Sequence, residues 1–216
     1  MIETGAGALE KYNEKLIDIW HLETNDVDDV IGLDEMDIDY VIMTHLHFDH
    51  AGGSTVKRDD EYRPLFKRAI HFIHEIEWKS ALTPHELSRY SYFERDFVPL
   101  QKSNVLKFVE KDREKILPEI EYIWTGGHSE GHSIVKVTSE NETLIFPGDL
   151  ILTHYNVPIS WISGIDLCRL ENYNARVKLY EEAVKYNYMF TFPHEPEPII
   201  GRIKMDEKGR YLFERW

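Results

Sequence analysis

The chain has 216 residues, with 39 Asp and Glu against 25 Lys and Arg and a formal charge of −14; its pI is near 5.2. A chain this acidic is repelled by phosphate backbones and anionic lipid, which argues against nucleic acid or a membrane surface as partner. Hydrophobic residues make up 42%, enough apolar side chain for one domain over 1–216, and no apolar run approaches the ~20 residues needed to span a bilayer.

The elements read in chain order. Residues 11–22 place Leu16, Ile19 and Trp20 on one helical face, and 26–33 form a short helix whose Asp26, Asp28 and Asp29 suit a helix N-terminus. Tyr40 to Thr44 is a continuous apolar strand, buried on both faces, and Ala51-Gly52-Gly53 permits a tight turn. Ala69–Ile73 reads as a strand, Glu75–Ala81 as a helix, and Thr83-Pro84 opens another helix over 85–95. Strands follow at 105–109, 120–125, 133–138 and 143–147, then a helix over 170–186 and a strand over 188–192. Strands alternating with helices indicate a layered α/β fold.

The chemistry concentrates in His45-Leu46-His47-Phe48-Asp49-His50, three imidazoles and one carboxylate within six positions. Zinc and its borderline neighbours prefer that donor set. His128 or His132 in GGHSEGH, Asp149 in FPGDL and His194 in TFPHE recur where apolar strands end, the edge at which α/β sheets bind ligands.

The run VIMTHLHFDHAGG, together with GGHSEGH, PGD and a late PHE, resembles the metallo-β-lactamase superfamily, and most of all its N-acyl-homoserine lactonases. The resemblance extends from about residue 2 to 195. It implies an αβ/βα four-layer sandwich and two zinc ions per chain, with Mn2+, Co2+ or Fe2+ as substitutes. His45, His47 and His128 would hold one ion, Asp49, His50 and His194 the other, and Asp149 would bridge them. His132 would support the loop. His47 stands where the diiron flavoprotein relatives carry Glu, which favours zinc and hydrolysis. A metal-bridging hydroxide would open the ester of a small lactone, with Asp49 doubling as proton relay. Thioester hydrolysis of the glyoxalase II type, organophosphate or β-lactam hydrolysis, and a non-catalytic metal-binding role are the alternatives. Where several of these lactonases carry a tyrosine three residues after the bridging Asp, this chain has Leu152, leaving His154 and Tyr155 as candidates for the catalytic role.

Met1-Ile2-Glu3-Thr4-Gly5 resembles a string that usually lies some tens of residues into such proteins, with Asp for Glu3. The sandwich is therefore expected to be N-terminally truncated, with an exposed sheet edge that invites a homodimer. No basic segment followed by an apolar stretch opens the chain, so a cytoplasmic location is expected. Cys168, the lone cysteine, is expected to be buried as a small apolar residue. His21, His71, His74 and His85 read as packing or surface residues, and Trp161 as an aromatic near the site.

Overall fold

A computed structural model describes residues 1–20 and 37–216. The expected 26–33 helix and His21 lie outside the described residues. The chain forms two compact units, residues 1–73 with 78–108 and residues 74–77 with 109–216.

In the first unit, α1 (Glu14–Trp20) starts where Asn13 Oδ1 accepts the Leu16 amide at 2.9 Å, a side-chain cap for an orphan N–H. A three-stranded sheet has the order β1 (Tyr40–Ile42), β4 (Ile70–His74), β5 (Leu106–Val109), with β1 and β4 parallel. Ile2 bridges in parallel to Ile42, flanked by Ile42 N–H to Met1 O at 3.0 Å and Glu3 N–H to Ile42 O at 2.9 Å. Between β1 and β4 lie the short helix α2 (Phe48–Ala51) and a hairpin of β2 (Thr55–Arg58) and β3 (Glu61–Pro64). Asp59 and Asp60 turn the hairpin at φ of 51° and 64°, the left-handed pair that suits a two-residue connection. Helices α3 (Glu75–Leu82) and α4 (Glu94–Lys102) follow. Val41, Met43, Leu46, Phe66, Ile73, Phe97 and Leu100 form the core.

At Ala51-Gly52-Gly53 the chain passes from α2 into a tight 3-10 turn, Gly52–Ser54. The glycines also serve close approach, since a Cβ at Gly52 would lie 2.2 Å from Ala6 O and one at Gly53 2.1 Å from Thr4 O. One expectation in this unit is overturned: 85–95 is not a helix but holds turns, a 3-10 segment at Arg89–Ser91 and the start of α4. His85 Nδ1 accepts the Leu87 amide at 3.2 Å and Ser88 Oγ donates to His85 O at 3.3 Å, local bonds that compete with helix. The helix forms later, with Pro99 inside it. Proline cannot donate to the carbonyl four residues back, and Thr55 Oγ1 donates to that Arg95 oxygen at 2.9 Å.

A buried ion pair ties these segments together. Lys11 Nζ donates to Asp96 Oδ1 and Thr55 Oγ1, each at 3.0 Å, and to Gly52 O. Burial drives both partners toward neutrality, the Lys11 ammonium downward and the Asp96 carboxyl upward in pKa.

In the second unit, seven strands run in the order β12 (Tyr211–Arg215), β11 (Gly201–Met205), β10 (Met189–Phe190), β9 (Glu142–Phe146), β8 (Ser133–Ser139), β7 (Ile120–Trp124), β6 (Arg113–Leu117). All neighbours are antiparallel except β9 and β10, and that parallel pair needs a crossover, which α5 (Arg169–Tyr186) supplies. Leu179, Tyr180 and Ala183 of α5 pack with Ile134, Ile145, Phe190 and Ile203. The helix ends at Asn187, left-handed at φ 60°. Cys168 is exposed, not buried: it caps the start of α5, and its amide donates to Gly127 O at 2.8 Å. Among the described residues no helix is long and apolar enough to cross a membrane.

Lys11→Met should leave the Asp96 carboxylate desolvated and cost roughly 3–5 kcal/mol in urea unfolding, while Lys11→Met with Asp96→Leu recovers most of it. A double variant no more stable than the single would refute this account. The His71 imidazole gives a second expectation. Burial pushes its pKa down to about 4 from 6.5. The unfolded chain therefore binds the proton first, so this contribution is complete above pH 6.5 and fades as pH falls toward 4. At about 1.4 kcal/mol per pH unit it amounts to roughly 3 kcal/mol. His71→Leu should flatten the acid limb of the stability curve by that amount.

Candidate metal centre

In the first unit, β1 hands the chain through buried Met43 and Thr44 to His45. His47 caps α2 in extended conformation, its carbonyl taking the His50 and Ala51 amides at 3.0 and 2.9 Å. This short helix brings the rings together, with His45 centred 4.5 Å from His47 and 4.1 Å from His50. His45, His47 and His50 are buried, while the Asp49 side chain is 26% exposed.

The proton position on His45 follows from its neighbours. Thr44 Oγ1 donates its single proton to Glu3 Oε1, so at 2.9 Å it must accept from His45 Nδ1. The His45 imidazole is thereby set with Nε2 as the lone-pair atom, the arrangement a metal ligand needs. Glu3 Oε2 stands 2.9 Å from His50 Nδ1 and Asp49 Oδ2 3.4 Å from its Nε2, so carboxylates flank that ring on both sides. Glu3 works from a left-handed backbone, φ 58°, with both oxygens engaged. The neighbouring Thr4 binds His50 O through its amide at 2.9 Å and its hydroxyl at 3.1 Å. Donor atoms of Glu3, His45 and His50 lie within 4.8 Å of one another, and this imidazole–carboxylate set suits a divalent cation of the zinc type.

In the second unit, His128 follows β7, Asp149 follows β9 and His194 follows β10. Asp149, in the 3-10 turn Gly148–Leu150, divides its carboxylate: Oδ2 lies 3.3 Å from His128 Nε2 and Oδ1 3.0 Å from His194 Nε2. That is the disposition of a carboxylate able to serve two ligand sets. Behind His128, Asp166 Oδ1 accepts from Nδ1 at 3.0 Å and again leaves Nε2 as the donor atom. Asp166 is buried, and its Oδ2 has no hydrogen-bond partner among the described residues.

The 125–132 loop is braced from several sides. Gly127 is left-handed at φ 84° and presses on α5, where a Cβ would fall 2.6 Å from Asn172 N. Buried Glu77 accepts from Ser129 Oγ at 2.7 Å and Gly131 N–H at 3.1 Å. His132 Nδ1 lies 2.7 Å from Thr125 Oγ1, and Thr125 and Gly126 both donate to His132 O.

His154 and Tyr155 occupy a 3-10 turn, His154–Asn156, capped by Thr153. His154 Nδ1 lies 2.7 Å from Glu195 Oε1, which also accepts the His154 amide at 2.5 Å. Tyr155 lies against His154 with ring centres 3.9 Å apart and planes tilted by 37°, and is 68% exposed. Sequence spacing does not reveal Asp166, Glu77 or Glu195 as parts of this arrangement, because each meets its partner only through folding. Glu3 does carry a signal, in the string Glu3-Thr4-Gly5.

Comparison with known proteins adds a family. The profile of the metallo-beta-lactamase superfamily matches residues 1–182. N-acyl homoserine lactonase AttM of Rhizobium radiobacter is 26% identical over 171 residues, covering 77% of this chain and 62% of AttM. N-acyl homoserine lactonase AiiA of Bacillus thuringiensis subsp. kurstaki is 28% identical over 123 residues, covering 57% of this chain and 40% of AiiA. The chain thus spans less than two thirds of the length of these curated relatives. Among solved structures, a "probable metal-dependent hydrolase" from Staphylococcus aureus superposes with a TM-score of 0.85 at 27% identity, over 99% of this chain and 76% of that one. AidC, described as a dizinc quorum-quenching lactonase, gives a TM-score of 0.74 at 21% identity, over 99% and 74%, and shares the fold. The mixed helices and sheets are those of the metallo-β-lactamase α/β sandwich fold.

Asp166→Ala removes the acceptor that sets the His128 tautomer. Zinc affinity, measured by competition with a chromophoric chelator, should fall about 10–100-fold, with the far-UV circular dichroism unchanged. Unchanged affinity would show that Asp166 has no part in orienting the ring.

Proposed function

Because the chain belongs to the metallo-beta-lactamase superfamily, we propose that it is a metal-dependent hydrolase that opens the ester bond of lactones, with N-acyl-homoserine lactones as the leading substrate class. The observation that carries this reading is the divided Asp149 carboxylate, 3.3 Å from His128 Nε2 and 3.0 Å from His194 Nε2. The lactonases AttM and AiiA among its relatives support the substrate class. In this reading His45, His47, Asp49, His50, His128, Asp149 and His194 supply the metal ligands, and two zinc ions per chain are the proposed complement.

Divalent cations bound there would act as Lewis acids on an ester carbonyl and lower the pKa of water toward neutrality. The remaining work falls to side chains. Asp49 is partly exposed and lies 3.4 Å from His50 Nε2, so its carboxylate is the proposed acceptor of the proton released in the attack and its donor to the leaving alkoxide. Tyr155 offers an exposed phenol as electrophile toward the ester oxygen. His154, tethered to Glu195, sets the turn from which that phenol projects. Thr44 and Asp166 hold the imidazole protons of His45 and His128 at Nδ1 and so keep the opposite nitrogens available.

Metal per purified chain and turnover of hexanoyl- and dodecanoyl-homoserine lactone, S-lactoylglutathione and paraoxon test the reading together. The expected result is two metals per chain and a lactone kcat/KM above about 10⁴ M⁻¹s⁻¹, exceeding the other substrates. Two metals with no turnover of any substrate would overturn the hydrolase in favour of a metal-binding protein. Preference for the thioester or the triester would overturn the lactone assignment alone.

A further inference from the structure

Arg176, in α5, is a large side chain withdrawn almost wholly from solvent, 1% exposed. Among the described residues no carboxylate pairs with it. Burying a guanidinium costs several kcal/mol unless its N–H groups find acceptors. Here the acceptors are main-chain carbonyls of one loop: Trp161 O at 3.1 Å from Nη1, with Val157 O at 3.3 Å, Pro158 O at 3.2 Å and Asn156 O on Nη2. Tyr180 Oη takes Nε at 3.2 Å and Nη2 at 3.0 Å. Burial raises the Tyr180 phenol to about 12, so it stays neutral beside the cation.

The loop so gripped, residues 151–168, contains no regular element beyond its one 3-10 turn. Its start follows Asp149, and its end is pinned where Asp166 meets His128 Nδ1 and the Leu167 amide donates to His128 O at 3.1 Å. Both ends therefore belong to the carboxylate–imidazole cluster, and Arg176 holds the middle. On this pinned loop stand Tyr155, Trp161 and Ile165, exposed by 68%, 59% and 55%. Large apolar side chains left in water on a rigidly held loop beside a reactive cluster are the features of a binding surface.

We propose that Arg176 is a positioning residue that sets the 156–161 backbone so that Trp161 stands as a wall for the apolar acyl part of an ester substrate. The choice of substrate rests on the hydrolase reading above; the clamp does not. Arg176 touches no substrate and acts through the loop alone.

The test compares the metal-loaded wild type with Arg176→Lys, Arg176→Met and Trp161→Ala. Amide hydrogen exchange over 152–163 is measured beside kcat and KM for butanoyl- to dodecanoyl-homoserine lactone. Lysine keeps the charge but loses the fork, so exchange over 156–161 should rise about tenfold at unchanged metal content. KM for the dodecanoyl substrate should rise roughly tenfold, more than kcat falls, and Trp161→Ala should weaken the dependence on acyl length. Unchanged exchange in Arg176→Lys overturns the clamp, and an undiminished chain-length dependence in Trp161→Ala overturns the wall. Should Arg176→Met fail to fold, the lysine and Trp161 variants still decide. Should the wild type turn over no lactone, the hydrolase reading and the acyl wall fall together, and exchange in Arg176→Lys still decides the clamp.

Discussion

A carboxylate shared between two imidazoles cannot be moved without disturbing both. Asp149 reaches His128 with one oxygen and His194 with the other, so the turn after β9 must stand at one distance from the loop after β7 and from the end of β10. The order of the seven-stranded sheet meets that demand, because β9 lies directly between β8 and β10 and only one strand from β7. The parallel β9–β10 pairing is costly in chain length, since it needs the whole 147–188 crossover. That crossover is not idle: it carries Asp166, which orients His128, and Arg176, which grips the loop exposing Tyr155 and Trp161.

The same economy governs the first unit. Glu3, Thr44 and the short α2 helix hold three buried rings within contact distance, and the proton position on His45 follows because Thr44 spends its only proton on Glu3. Gly52 and Gly53 let residues 4 to 7 approach the turn after the motif, and Lys11 ties that turn to α4 through Asp96. Buried charge is used in both units to hold loops, by an ion pair in one and by carbonyls in the other.

Much of this was legible beforehand. The motif at 45–50, the strands that end a few residues before His45, His128, Asp149 and His194, and the α5 period follow from residue type and local periodicity. What stayed hidden depends on distance along the chain. Asp166 lies 38 residues from His128, Ser129 52 from Glu77 and Lys11 85 from Asp96. No spacing rule links such pairs. The segment at 85–95 failed for the opposite reason: its propensity is helical, but local bonds at His85 and Ser88 compete with it.

Donor chemistry, family and the alternation of strands and helices can be read along the chain, because ligand type and apolar period are properties of neighbouring residues. Which nitrogen of His45 and His128 is held by a neighbouring oxygen, which buried charges find partners and which aromatic side chains remain in water are settled by folding. Those outcomes depend on groups brought together across dozens of residues, where the cost of an unsatisfied buried polar atom, rather than local preference, selects the arrangement.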